Sequence, residues 1–316
     1  MAVGVISHLH NPSFAQVREL ARAVEKAGAD WLGLPDAFWW RDTWLLLGEA
    51  ARATERIEIG PLVTNPYLRH PFHTVAAVAS LQDLAGPRVF LGVGAGGSEV
   101  SGAAGVSRRD ASARVGALAA LLRNVAKQGQ PLDQVSGRAL EVPLKSAPIL
   151  IAGRGSGMLA AAGRWADRAL LWAVPSSDLA RSASIIAASA QEGRAADGPG
   201  PEVVWAPLVD HGGQSRQRVH TIAAYSVLNS AREVQARWGL ERSTIERLRE
   251  VLVGGGAVAA QNMVPASALD DLIIQDPSPQ LLKATARQLG ATSIAVPAFS
   301  IEEVRERVTW ARAVLA

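Results

Sequence analysis

Residues 57–97 read IEIGPLVTNPYLRHPFHTVAAVASLQDLAGPRVFLGVGAGG, and the pattern of this stretch decides the class of fold. Ile57 to Thr64 is rich in branched apolar residues and reads as a strand. Pro71, its φ pre-set for a first helical turn, opens a helix that runs to Leu84. After the turn Ala85-Gly86-Pro87, Val89 to Val93 is a continuous apolar run, as expected of a strand buried on both faces. Two such strands joined by a helical crossover form a parallel strand–helix–strand unit.

The unit repeats in both directions along the chain. Toward the N-terminus lie a strand from Val3 to Ser7, a helix from Phe14 to Ala27 closed by Gly28, a strand from Trp31 to Leu34 and a helix from Thr43 to Ala53. Toward the C-terminus come a helix from Arg109 to Gln128 and strands at Pro148 to Ala152, Arg168 to Val174 and Val203 to Val209. Helices Met158 to Trp165 and Leu179 to Glu192 separate those strands, and strand Ser293 to Val296 with helix Ile301 to Val314 closes the chain. This gives eight strands, and a (β/α)8 TIM barrel spanning 1–316 as a single domain explains them better than an open sheet. Two segments stand outside the alternation. Gln134 to Val142 reads as a short hairpin, and 215–290, broken at Gly254-Gly255-Gly256, as a helical insertion near the barrel mouth.

Composition narrows the function classes. Hydrophobic residues make up 48% and charged residues 19% of 316, ordinary for a folded enzyme. Net charge is +3, and no basic run with interleaved aromatics suggests a nucleic-acid partner. Absence of Cys removes disulfides, thiolate nucleophiles and Cys-ligated metals, and the His residues lack metal spacing. No signal peptide or membrane-length apolar run is visible, so the expectation is a cytoplasmic enzyme acting on a small molecule. There is no Walker loop, no nucleophile elbow and no good dinucleotide fingerprint.

In a barrel, ligands sit where strands end and loops begin. The first strand ends in Ser7-His8-Leu9-His10, where a neutral imidazole either serves a ligand or is a hydrogen-bonded loop feature. The second ends in Asp36 followed by Phe38, Trp39 and Trp40, a carboxylate beside aromatics suited to wall an apolar substrate pocket or to form a lid. The fourth runs into Gly92-Val93-Gly94-Ala95-Gly96-Gly97-Ser98-Glu99, where backbone can approach a flat ligand. The fifth ends in Gly153-Arg154-Gly155-Ser156-Gly157-Met158 just before a helix, an arrangement that presents free N–H groups to a phosphate. Arg154 adds charge there or faces solvent, and His70-Pro71 reads as a helix entry.

These strand ends together resemble the bacterial luciferase-like superfamily. TNPYLRHP at 64–71 is similar to its deazaflavin-dependent members, including methylenetetrahydromethanopterin reductases, while LGVGAG at 91–96 and IAGRGSGM at 151–158 resemble its other signature segments. The resemblance implies coenzyme F420, with flavin mononucleotide (FMN) as the alternative, at the barrel mouth. Carried over residue by residue, the coenzyme site comprises Leu62, Val63, Thr64, Asn65, Gly94, Ala95, Gly96, Gly153, Gly155, Ser156, Gly157 and Met158, with a non-prolyl cis bond at Leu62-Val63. Dehydrogenases of the group often carry His after the second-strand Asp, and here Ala37 stands there. Either His8, Asp36 or Glu99 is then the expected acid/base, or a bound water supplies the proton in a reductase, in a hydride transfer to a C=N or C=C bond. An FMN-dependent monooxygenase and a non-catalytic flavin-binding barrel are the competing readings, and family members commonly form homodimers.

Overall fold

A computed structural model of the chain describes residues 1–128, 137–193, 199–275 and 278–316. Its first half comprises β1 (Ala2–Ser7), α1 (Phe14–Lys26), β2 (Trp31–Leu34), α2 (Thr43–Ala53), β3 (Glu58–Pro61), α3 (Pro71–Ala85), β4 (Leu91–Gly94), α4 (Ser98–Ala103) and α5 (Ala111–Gln128). Next come β5 (Ile149–Ala152), α6 (Ser156–Trp165), β6 (Arg168–Trp172), α7 (Leu179–Gly193), β7 (Glu202–Ala206) and β8 (Leu208–Val209). Helices α8 (Gly213–Asn229), α9 (Arg232–Arg237), α10 (Arg242–Val253), α11 (Ala257–Gln261) and α12 (Ala266–Leu272) follow, then β9 (Ile273–Ile274), α13 (Pro279–Gln288), β10 (Ala291–Ala298) and α14 (Val304–Leu315).

Eight strands form one parallel sheet in the order β3-β2-β1-β10-β7-β6-β5-β4. Its two ends meet: Ile59 bridges Val89 and Thr64 bridges Val93, both parallel, so the sheet closes into an α/β barrel. Local chemistry fixes the outer ring. In α1, Ser13 Oγ accepts from Gln16 N–H while the Gln16 side chain accepts from Ser13 N–H, a reciprocal cap, and Val17, Leu20, Ala21 and Val24 present one buried stripe. Glu25, at the other end of α1, accepts from the amides of Glu55, Arg56 and Ile57 and so sets where β3 begins.

Inside the barrel, Ile6, Trp31, Phe90, Leu150, Leu170 and Val204 fill the lumen. Gly4 makes room for that filling: a Cβ there would stand 1.9 Å from Trp31 Cε2. At the N-terminal ends of the strands, Arg168 spans the floor, pairing with Glu58 and, at 3.3 Å, with Glu202. Ser293 donates to Glu202 from the neighbouring strand.

Three expectations change in detail. The segment Val203 to Val209 is two strands: Pro207, which has no N–H to donate, ends the barrel strand, and β8 leaves to pair with β9. The stretch 215–290 also divides. Helices α8 to α12 pack around their own core of Val219, Ala223, Val227, Leu248 and Leu272, whereas Leu282 and Ala286 of α13 belong to the main core. No strand occurs in 137–148, and the start of the hairpin expected from Gln134 lies outside the described residues.

Candidate active site at the barrel mouth

The C-terminal ends of β3, β4 and β5 lie side by side. Thr64 N–H donates to the Gly92 carbonyl and Gly94 N–H to the Thr64 carbonyl, each at 3.0 Å. Gly94 pairs with Ala152 across β4 and β5. A Cβ on Gly94 would stand 2.9 Å from Val63 Cγ2 and 3.2 Å from the Ala152 carbonyl oxygen, so only glycine lets these three strand ends close into one floor. The Leu62-Val63 peptide is cis, and Leu62 N–H donates to the Leu34 carbonyl at 2.6 Å, which ties the floor to β2. Asn65 spends its side-chain oxygen locally, accepting from Tyr67 and Leu68 N–H, while its side chain packs beside Gly96.

Beyond Ala152 the chain turns tightly over Gly153, where a Cβ would collide with Met158 Cβ at 2.4 Å. Gly155 then caps α6 with no side chain and with open space above it. The first amides of α6, on Ser156 and Gly157, therefore face outward with the positive end of the helix dipole behind them. Met158, half-buried, packs beneath the turn against the main core. Arg154 turns inward: its Nε donates to the Trp172 carbonyl at 3.1 Å and NH1 to the Ser226 carbonyl at 3.3 Å.

Two titratable groups face the mouth from β1 and β2. Burial pushes the Asp36 carboxyl above its ordinary value, with the nearby Thr64 hydroxyl and Arg69 guanidinium acting in the opposite direction. Burial likewise lowers His8 to about 4, so its imidazole is neutral near pH 7. His8 lies against Trp172 at 5.3 Å and Phe299 at 5.5 Å between ring centroids. Its Nε2 is buried with no hydrogen-bond partner, as are Ser7 Oγ and Ser226 Oγ. Unpartnered polar atoms in a buried position cost free energy, and a bound polar ligand offsets that cost.

A cavity of about 480 Å³ opens past Asn65, lined in part by Asp36, Phe38, Trp40, Asn65, Arg69 and His73; of the residues expected to hold the coenzyme only Asn65 lines it. Of the aromatics expected to wall a substrate pocket, Phe38 and Trp40 line it; Trp39 is 48% exposed and stacks edge-on against Phe38 instead. The structure thus brings Asp36, Phe38, Trp40 and Asn65 together and joins Leu62 to Thr64 with Gly94. It sets His8 apart, among residues of β6 and the loop after β10. The side chain of Glu99 lies outside the described residues. His70 is the helix entry expected, accepting from Phe72 N–H at 3.3 Å, and Arg69 pairs with Asp42 at 2.7 Å. Sequence reasoning missed Trp172 and Phe299; position at a strand end was the signal available for both. Among the described residues no group of three or more His, Asp or Glu could hold a metal ion.

Residues 1–288 match the family of luciferase-like monooxygenases. The chain belongs to that family. A 5,10-methylenetetrahydromethanopterin reductase of Archaeoglobus fulgidus is 24% identical over 275 residues, 85% of this chain and 83% of the relative. Among solved structures, the coenzyme F420-dependent tetrahydromethanopterin reductase of Methanopyrus kandleri superposes with a TM-score of 0.77 at 21% identity, covering 97% of this chain and 96% of that one. An F420-dependent secondary alcohol dehydrogenase, solved with an F420–acetone adduct, gives 0.74 at 16% identity, covering 99% and 98%. The fold of this luciferase-like chain is therefore that of the F420-dependent enzymes, with an eight-stranded barrel at its centre.

Proposed function

We propose that this protein is an F420-dependent oxidoreductase that transfers hydride to or from a small metabolite, adding it to a C=N or C=C bond in the reducing direction. The observation that carries the reading is the continuous floor of Leu62, Val63, Gly94 and Ala152, closed so tightly that a side chain on Gly94 would not fit. The likeness to F420-dependent reductases and dehydrogenases supports the choice of coenzyme. When bound, the deazaflavin supplies obligate two-electron hydride chemistry.

In this reading Leu62 to Asn65, Gly94 to Gly96 and the turn from Gly153 to Met158 hold the coenzyme. Asp36, which burial biases toward its protonated form, is placed to give or take a substrate proton beside the Phe38–Trp40 wall. His8, neutral and with a vacant ring nitrogen, is placed to hydrogen-bond a carbonyl. The aromatic wall offers apolar surface to the substrate.

The family description favours one other reading, an FMN-dependent monooxygenase. Quenching of tryptophan emission by F420 and by FMN, titrated in parallel, separates the two. Tighter binding of F420 is the expected result. Preference for FMN accompanied by oxygen consumption moves the assignment to a monooxygenase, and a protein that titrates neither is a non-catalytic barrel.

A further inference from the structure

Arg307 of α14 is only 4% exposed, and burial on that scale leaves a guanidinium dependent on partners within the protein. It has few. Nε and Nη1 are buried with no hydrogen-bond partner among the described residues. Nη2 stands 3.6 Å from Glu303 Oε2, one turn back on the same helix, too far for a hydrogen bond, and that oxygen is itself buried without a partner. Asp210 spends its oxygens elsewhere, accepting from Gly212 N–H at 2.7 Å and from Arg216 Nε at 2.6 Å. Burial pulls the Arg307 guanidinium below its ordinary value, Asp210 acts in the opposite direction, and the group stays charged near pH 7.

A cavity lies beside it. Arg307 shares the lining with Pro207, Val209, Pro297 and Phe299 and with the rings of His211 and Trp310, which meet edge to face at 5.1 Å between centroids. The space is about 10 Å³, enough for one atom-sized guest and too small for an organic molecule. A water there would satisfy N–H groups and leave the buried charge uncompensated among largely apolar walls. A monatomic anion does both. Phe299 also packs 5.5 Å from His8 between ring centroids, so the cavity shares a wall with the surroundings of the mouth.

We infer that Arg307 binds a single halide ion, such as chloride, in the cavity between the end of β10 and α14. The ion accepts from the unpartnered N–H groups of Arg307 and fastens the loop after β10, whose Phe299 carbonyl also accepts from Arg218 Nη1. The inference stands apart from the choice of coenzyme, since none of these residues belongs to the glycine cradle.

Thermal midpoints of the whole protein in sodium chloride, sodium bromide and sodium gluconate at equal ionic strength test the site, gluconate being too large to enter. The expected result is a saturating rise in either halide, reaching about 2–3 °C above gluconate at roughly ten times the dissociation constant. Arg307→Met should lose that difference. Crystals grown in bromide should show an anomalous peak within hydrogen-bond distance of Arg307 Nε or Nη1. Equal midpoints in halide and gluconate overturn the site, and this comparison needs only the unaltered protein, so it stands even if Arg307→Met fails to fold. A halide response that survives in Arg307→Met puts the ion elsewhere and overturns it too. A water, or the Glu303 carboxylate turned onto Arg307, in place of the bromide peak does the same.

Discussion

His8 shows how a single residue acquires its chemistry from its surroundings. An exposed imidazole titrates near 6.5, whereas here burial takes it to about 4. Between those two values the unfolded chain binds a proton that the folded chain does not, so stability falls as pH drops through this window. The expected loss is of order 2–3 kcal/mol from neutral pH to about pH 4, and His8→Gln should flatten that part of the curve. Denaturant midpoints of the two proteins across the window test this; superimposable slopes would count against a buried neutral imidazole. That His8 stands at a strand end was legible in the sequence. Its burial and the lowered pKa were not, because Trp172 and Phe299, which pack against it, reach it only through the closing of the barrel.

At the scale of elements, the helical insertion is the part that the sequence described least well. Helical periodicity marked 215–290 as outside the alternation, yet it could not show that α13 returns to the outer ring or that β8 and β9 form the base of the insertion. Both depend on which apolar face meets which core. Asp271 of α12 fastens the insertion to the barrel, accepting from Ser177 N–H at 2.8 Å, Ser177 Oγ at 2.7 Å and Trp238 Nε1 at 2.9 Å. Replacing it with Ala removes the shared acceptor of three donors and should destabilise the insertion by about 1–3 kcal/mol. Hydrogen exchange is the suitable measurement: faster exchange in α9 and α12 with unchanged exchange in β1 to β5 is expected. A uniform change throughout the chain would show that the clamp is not local. Arg154 makes a second tie, from the phosphate turn to α8, so the segment read as a coenzyme grip also carries the insertion.

On the whole-molecule scale the two ends of the barrel divide stability from ligand contact. Arg168, 17% exposed at its side chain, joins β6 to β3 and β7 across the floor by way of Glu58 and Glu202. Removing the guanidinium leaves two facing carboxylates with reduced solvent access, so Arg168→Met should cost about 2–4 kcal/mol. Because the mouth lies at the opposite end of the strands, coenzyme affinity of the folded variant should stay as it was. A urea titration paired with an F420 or FMN titration checks both halves, and a loss of affinity without loss of stability would contradict the division.

The sequence by itself determined the alternation, the number of barrel strands and the positions of the glycines at their ends. Those features follow from periodicity, chain stiffness and the lack of a side chain, all of them local properties. Only the tertiary structure decided that Gly94 must be bare because Val63 and the Ala152 carbonyl close on it, that Asp36 is shielded beside Thr64, and that Arg108 reaches back to Gly96. Each of these depends on contacts between segments far apart in the chain, and such contacts come into being only when the sheet curls round until β3 meets β4.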